Sequence, residues 1–358
     1  MEFGILFTSQ PHKDHEPYPH RAVHQRVTDE IAAADRLGFD CAWLAEHHFS
    51  TEYGIMPDVW VYAGHLAALT KRIKLGMAVV TLPLANPVRT VENAAFVDIL
   101  SGGRVVLGLG SGYRKYEFNG FGLEFEARRD RQEEALEIVL DLLRSGRSAH
   151  KGRHFTVDIS GDYELLPQSV QRPYPPLLLA GATERSIATA GRLGFGLMLS
   201  TLTPFATLAT QVAHYRAHLE MSSSKARENP AFGHIDVARW VYVAETDAKA
   251  KRESEEGLLR HLKHFFGGDQ AGYLGQVSRG KDSVASGLDY DALARSTIIH
   301  GSPATVADRI AELKEKTGLS SLMLHYPPWY GTERAKASLE LFAHEVMPRV
   351  RPPAKAAE

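Results

Sequence analysis

Phe39-Asp40-Cys41-Ala42-Trp43-Leu44-Ala45-Glu46-His47-His48-Phe49 is an apolar run that ends in one carboxylate and two imidazoles. Its first half has the composition of a buried parallel strand, so the ionisable groups fall where that strand surfaces from its core. In a barrel of alternating strands and helices, that end carries the chemistry. A lone histidine is more often a hydrogen-bonded core residue. Three ionisable groups in a row at a strand terminus reverse that preference and point to a site.

Outward from this stretch, short strand-like runs alternate with longer amphipathic patterns, the signature of repeated strand-helix units. Phe3–Phe7 precedes a helical stretch over Arg21–Leu37 that closes at Gly38; Cys41–Ala45 precedes another over Asp58–Thr70. Ile73–Val80 reads as a strand, followed by a helix at Val88–Leu100 that ends in Ser101-Gly102-Gly103. Arg104–Leu109 is a fourth strand and Arg128–Leu143 a long helix, with a hairpin-like segment at 148–168. The pattern resumes in strands Pro176–Ala180, Phe195–Leu199, Ile235–Ala244 and Leu319–His325, with helices at Glu184–Arg192, Ala206–Leu219, Ala248–Phe266, Pro303–Lys316 and Glu333–Val346. The expectation is an α/β fold, one (β/α)8 TIM barrel with insertions over residues 1–350, because no linker divides the chain. Residues 267–294, rich in glycine, break the rhythm and read as a functional or mobile loop. Residues 351–358 read as a flexible tail.

The 358 residues carry 41 Lys plus Arg against 43 Asp plus Glu, a formal net charge of -2. No general field of that size draws in nucleic acid or an anionic membrane, which leaves small molecules as the expected ligands. The single cysteine, Cys41, lies inside a strand pattern and excludes an internal disulfide framework and a cysteine-based zinc site. That usage favours a reducing compartment. With no basic leader and no apolar run of membrane length, the chain reads as a cytoplasmic protein. The 17 histidines contain no metal-ligating spacing, so no metal is expected.

Three further motifs bear on function. Leu107-Gly108-Leu109-Gly110-Ser111-Gly112 lacks the register of a dinucleotide fingerprint and continues into what reads as a loop over 111–120. Its glycines suit the close approach of a flat ligand to the backbone, and a tight turn explains them equally. In Ala180-Gly181-Ala182-Thr183-Glu184-Arg185-Ser186 a strand passes into a helix, with Thr183 as N-cap and Ser186 in the first turn. Such a terminus is either an ordinary cap or an anion site. Arg128 and Arg129 supply positive charge for a phosphate, or a solvated helix face. His12, His15 and His20 cluster in the first strand-helix loop, either lining a pocket or exposed.

Taken together, these segments resemble the bacterial luciferase-like, flavin-dependent monooxygenases, of the alkanal monooxygenase α-subunit type. The likeness covers nearly the whole chain. It runs through Met1-Glu2-Phe3-Gly4, Trp43–Phe49, Leu75–Pro83 with Asn86-Pro87-Val88-Arg89, Asp98–Arg104, Glu117–Gly122, Gly301-Ser302-Pro303 and Leu341–Pro348. The resemblance implies a TIM barrel that binds reduced flavin at the carboxyl ends of its strands and forms dimers. It makes His47 the catalytic histidine with Glu46 and His48 as neighbours. It gives Thr183, Ser186 and one of Arg128 and Arg129 to the FMN phosphate, with Gly181 beside them. It places a non-prolyl cis peptide at Ala78-Val79 against the flavin ring. Gly110 and Ser111 stand where luciferase carries a reactive cysteine and a phosphate-binding arginine, which departs from the luminescent pattern.

The implied reaction is a monooxygenation in which dihydro-FMN from a separate reductase reacts with O2 to a C4a-peroxyflavin, which oxygenates a small organic substrate. His47 acts as base or proton relay, near its unperturbed pKa of about 6.5. Two alternatives are an F420-dependent dehydrogenase or reductase on the same barrel and a noncatalytic flavin-binding subunit. The Glu46-His47-His48-Phe49 sequence leans toward FMN, since F420-using members more often show Asp-His-Phe there. Retention of His47 argues for an active enzyme, and the expected assembly is a homodimer.

Overall fold

In the computed structural model, residues 1–11, 18–51, 53–266 and 289–351 are described. The strands are β1 (Glu2–Phe7), β2 (Cys41–Leu44), β3 (Lys74–Met77), β4 (Val80–Thr81), β5 (Val105–Gly110), β6 (Ser148–Lys151), β7 (Thr156–Ile159), β8 (Leu177–Ala180), β9 (Gly196–Leu199), β10 (Ile235–Val243), β11 (Ile299–Gly301) and β12 (Ser321–His325). Strands β1, β2, β3, β5, β8, β9, β10 and β12 pair in that order, all parallel, and β12 returns to β1. This is a closed eight-stranded barrel. The antiparallel pair β6-β7 stands apart from it.

Every residue of β2, β5, β9, β10 and β12 is buried, which is why those segments read as mainly apolar runs, interrupted only by Asp236 and Arg239 in β10 and by Ser321 and His325 at the ends of β12. One face packs outward on the helices. The other fills the lumen with Cys41, Trp43, Val106, Leu178, Met198, Ala238 and Met323. The Trp43 indole is accommodated by glycine on both neighbouring strands: a Cβ at Gly4 would lie 2.6 Å from its Nε1, and one at Gly76 2.3 Å from its Cε3. Helices start on side-chain caps, Asp58 for Val59–Leu69, Asn86 for Pro87–Ser101 and Ser302 for Pro303–Thr317. They stop at left-handed glycines such as Gly38, Gly102 and Gly318.

The structure departs from the sequence reading in four places. The strand expected over Ile73–Val80 divides into β3 and β4, with a cis peptide at Ala78-Val79 between them. The 111–120 loop contains a short helix, Lys115–Gly120, a single turn too brief to show periodicity. β11 extends β10 beyond the barrel, and its three residues gave no strand pattern. The helix expected over Glu333–Val346 ends at Leu341, passes into a wider π turn over Phe342–Val346 and resumes as a short helix over Met347–Val350. Pro348 just beyond the π turn donates no N–H and crowds the carbonyl four residues back. Residues 267–288, most of the glycine-rich 267–294 loop, lie outside the described residues, as do His12, His15 and 352–358; Asp289 onward belongs to the capped helix Tyr290–Ser296.

Candidate active site

Glu46, His47 and His48 follow the C-terminal end of β2, at the mouth of the barrel, where β2 no longer pairs and the chain is free to turn. The three side chains separate there. The His47 Nδ1 lies 3.1 Å from Glu117 Oε1, and the same oxygen accepts the His48 backbone N–H at 3.0 Å. The His48 Nε2 lies 3.1 Å from Glu46 Oε1, while Glu46 Oε2 accepts the Thr81 N–H at 3.4 Å. Two carboxylate-imidazole pairs result, and they differ in setting. His47, Glu46 and Glu117 line a cleft; His48 turns away from it, its ring edge against Phe121 at 4.8 Å.

The electrostatics follow from burial and partners. Burial pushes His47 below the ordinary imidazole value, outweighing the attraction of Glu117, with Arg114 adding repulsion of the charged form. Burial acts to raise Glu117 as well, but its bond from His47, the His48 N–H and the Arg114 charge together hold its carboxyl below the usual range. Glu46 goes the other way, raised by burial against the weaker pull of His48. An ionised Glu117 only accepts hydrogen bonds, so His47 carries its proton on Nδ1 and keeps Nε2 as a basic lone pair. Tyr53 sets its ring edge on His47 at 4.5 Å, and the Arg114 guanidinium lies 4.1 Å over Tyr53.

Around the cleft stand the other residues singled out in the sequence. Ala78, Val79, Gly110, Ser111, Arg128, Arg129, Gly181, Thr183 and Ser186 all line it. Gly110 is obligatory for shape: a Cβ there would lie 2.5 Å from Val79 Cγ2. Thr183 and Ser186 form a capping box on the helix Glu184–Leu193, each hydroxyl meeting the other's backbone N–H, at 3.3 Å and 3.1 Å. The ordinary-cap reading holds at this helix terminus, and the same two side chains border the cleft. Arg128 donates to the Phe125 carbonyl at 3.0 Å and packs on that ring, half-buried beside the cleft. Of the early histidines that are described, His20 is exposed.

Sequence reasoning missed Glu117, together with Tyr53, Tyr113 and Arg114. Glu117 is separated by 70 residues from His47, and nothing local marks it as a partner. Its one signal was an acid in a segment flanked by glycines. Among the described residues, no group of three or more His, Cys, Asp or Glu side chains is arranged to hold a metal ion, and no helix is long and apolar enough to cross a membrane.

A sequence profile of the luciferase-like monooxygenases matches residues 1–321. The chain belongs to that family. It is 28% identical over 334 residues to limonene 1,2-monooxygenase of Rhodococcus erythropolis, covering 91% of this chain and 81% of that one. An uncharacterized protein of Sinorhizobium fredii, y4vJ, is 32% identical over 202 residues, and the match spans 56% of each chain. Among solved structures, the oxygenating constituent of 3,6-diketocamphane monooxygenase from Pseudomonas putida, in complex with FMN, superimposes with a TM-score of 0.81 at 21% identity, covering 99% of both chains. The F420-dependent tetrahydromethanopterin reductase of Methanopyrus kandleri superimposes with a TM-score of 0.70 at 20% identity, over 98% of this chain and 99% of that one. These two structures show the shared fold. As a luciferase-like monooxygenase the chain is an oxidoreductase.

Proposed function

We propose that this luciferase-like enzyme takes reduced FMN from a separate reductase and uses O2 to place one oxygen atom on a small organic substrate. The observation that carries the reading is one cleft lined at the same time by the carboxylate-oriented His47 and by Arg128, Arg129, Thr183 and Ser186. The residues fit an FMN. Arg128, Arg129 and the N-terminus of the helix Glu184–Leu193, with Thr183 and Ser186, bring cationic and N–H donors to one edge of the cleft, suited to a phosphate. Ala78, Val79, Met198, Leu6 and Met323 give an apolar floor suited to a flat ring, and Gly110 leaves room for its approach.

When bound, the reduced flavin supplies the electrons and the site of oxygen activation. The chain's own residues do the rest. Glu117 fixes the imidazole plane and tautomer, so His47 Nε2 is the group that takes or relays a proton at the reacting centre. Tyr53 and Tyr113 wall the histidine with rings and exclude water from one side. His48, outside the cleft, works through Glu46 rather than on the substrate.

Oxygen consumption by the full-length protein with photoreduced FMN, together with binding titrations of FMNH2 and reduced F420, tests the reading. Tight FMNH2 binding with O2 uptake is expected; preference for F420 with no O2 uptake would select the dehydrogenase alternative. Flavin binding without turnover of any organic compound would select the noncatalytic one. We further propose a single cytoplasmic barrel domain over 1–350 that forms a homodimer. The exposed Val61, Leu69, Phe96, Ile99 and Leu100 on the adjoining helices Val59–Leu69 and Pro87–Ser101 offer an apolar face for a second copy.

A further inference from the structure

His325 ends β12, level with Leu6 on β1 and Trp240 on β10. Residues level across parallel strands point the same way, and residues two apart on a strand share a face. Leu6, Ala238 and Met323 line the cleft. His325 and Trp240 therefore project into the same lumen, one layer nearer the mouth than Met323 and Ala238. They stand on the β10-β12 side, across the barrel from the Ala78-Val79 strand end.

Both ring nitrogens of His325 and the indole Nε1 of Trp240 are buried and have no hydrogen-bond partner among the described residues. Buried donors and acceptors left open are rare, and one beside a binding cleft calls for a ligand. The surroundings are aromatic. The His325 ring stacks on Trp240 at 6.3 Å and 27°, and the edge of His261 meets it at 5.6 Å and 84°. Burial takes the imidazole down to a pKa of about 4, so it stands neutral in this wall, with one N–H to donate and one lone pair.

We propose that His325 is a substrate-binding residue that donates its N–H to the carbonyl oxygen of a compact, uncharged ketone whose carbon skeleton packs on Trp240. The assignment deepens the flavin monooxygenase reading and rests on it. An aromatic wall whose open donors are the neutral N–H groups of His325 and Trp240 favours a molecule that is apolar except at an acceptor oxygen. A hydrocarbon of the same shape would leave these donors unpaired.

The test uses the full-length protein with cyclohexanone, camphor and the hydrocarbon methylenecyclohexane as probes, in wild type, His325→Phe and His325→Gln. Binding is followed by ring nitrogen resonances of labelled histidine and by tryptophan fluorescence. The ketones are expected to move the His325 resonances and the hydrocarbon to leave them in place. His325→Phe is expected to weaken ketone binding by about tenfold, the size of one lost hydrogen bond, while hydrocarbon binding holds; His325→Gln recovers most of the loss. Unshifted His325 resonances with both ketones overturn the proposal. So does a His325→Phe protein with wild-type melting temperature and wild-type ketone affinity. FMN titration of the wild type runs in parallel: normal FMN binding with failed ketone arms sinks this inference alone. Absent FMN binding sinks the flavin reading, and with it the assignment of the ketone as substrate.

Discussion

Replacing Glu117 with glutamine keeps the shape of the side chain and removes its charge. Glu117 Oε1 accepts two hydrogen bonds, from His47 Nδ1 at 3.1 Å and the His48 N–H at 3.0 Å. Hydrogen bonds to a charged group contribute about 1.5–3 kcal/mol each and neutral ones about 0.5–1.5 kcal/mol. With the amide oxygen still accepting both, the loss is about 1–3 kcal/mol in urea unfolding. Glu117→Ala leaves two buried donors unmatched and costs about 2–6 kcal/mol. The pH dependence has a definite sign. The folded Glu117 carboxyl lies below its unfolded value, so its contribution is present above that unfolded value and lost as pH falls through the folded one. Glu117→Gln removes this limb. Because Glu117 is the group that raises His47 against burial, the variant also pushes the imidazole further down. Histidine nitrogen resonances followed against pH read the tautomer and the titration directly, and turnover is expected to fall by about 10²-fold. A wild-type spectrum showing the proton on Nε2, or a His47 that titrates higher in Glu117→Gln, would refute the orientation argument.

Four further outcomes are expected. His47→Ala lowers product formation by about 10²- to 10⁴-fold with FMN affinity nearly unchanged, measured by oxygen-coupled product assay and flavin titration. Arg128→Ala combined with Arg129→Ala weakens FMN binding by at least about tenfold and leaves riboflavin binding alone, since only FMN carries the phosphate; equal losses for both flavins would count against the phosphate assignment. Gly110→Ala overpacks the cleft against Val79, costing about 1–3 kcal/mol in denaturant unfolding and most of the flavin affinity. The fourth concerns the barrel's other end, where His234 Nε2 lies 3.0 Å from the buried Asp236. Burial lowers His234 but Asp236 outweighs it, so the folded value is raised above the unfolded 6.5. The pair's contribution is full below that unfolded value and lost as pH rises through the folded one, and Asp236→Asn is expected to flatten the corresponding slope of melting temperature against pH.

The barrel was legible because its strands bury both faces and its helices only one. Cys41–Leu44 and Val105–Gly110 carry no polar side chain, Ile235–Val243 is apolar but for Asp236 and Arg239, and the caps Asp58 and Gly38 mark helix ends by local hydrogen bonding and backbone freedom. Those are properties of adjacent residues, so a single sequence carries them. The cap of the helix Glu184–Leu193 was legible for a similar reason, since Thr183 and Ser186 are three apart on one helix turn.

What adjacency does not encode was decided by tertiary structure. Glu46-His47-His48 reads as one triplet, yet the fold sends His47 to Glu117 and the cleft, and His48 to Glu46 and Phe121. Barrel closure brings β12 beside β1, which sets His325 level with Leu6 and aims both into the lumen. The sequence by itself determined which segments become strands and which strand end carries ionisable groups, because periodicity and composition act locally. The partner and tautomer of His47 and the open donors of the aromatic wall came only with closure, because each depends on side chains tens to hundreds of residues apart meeting at the barrel mouth.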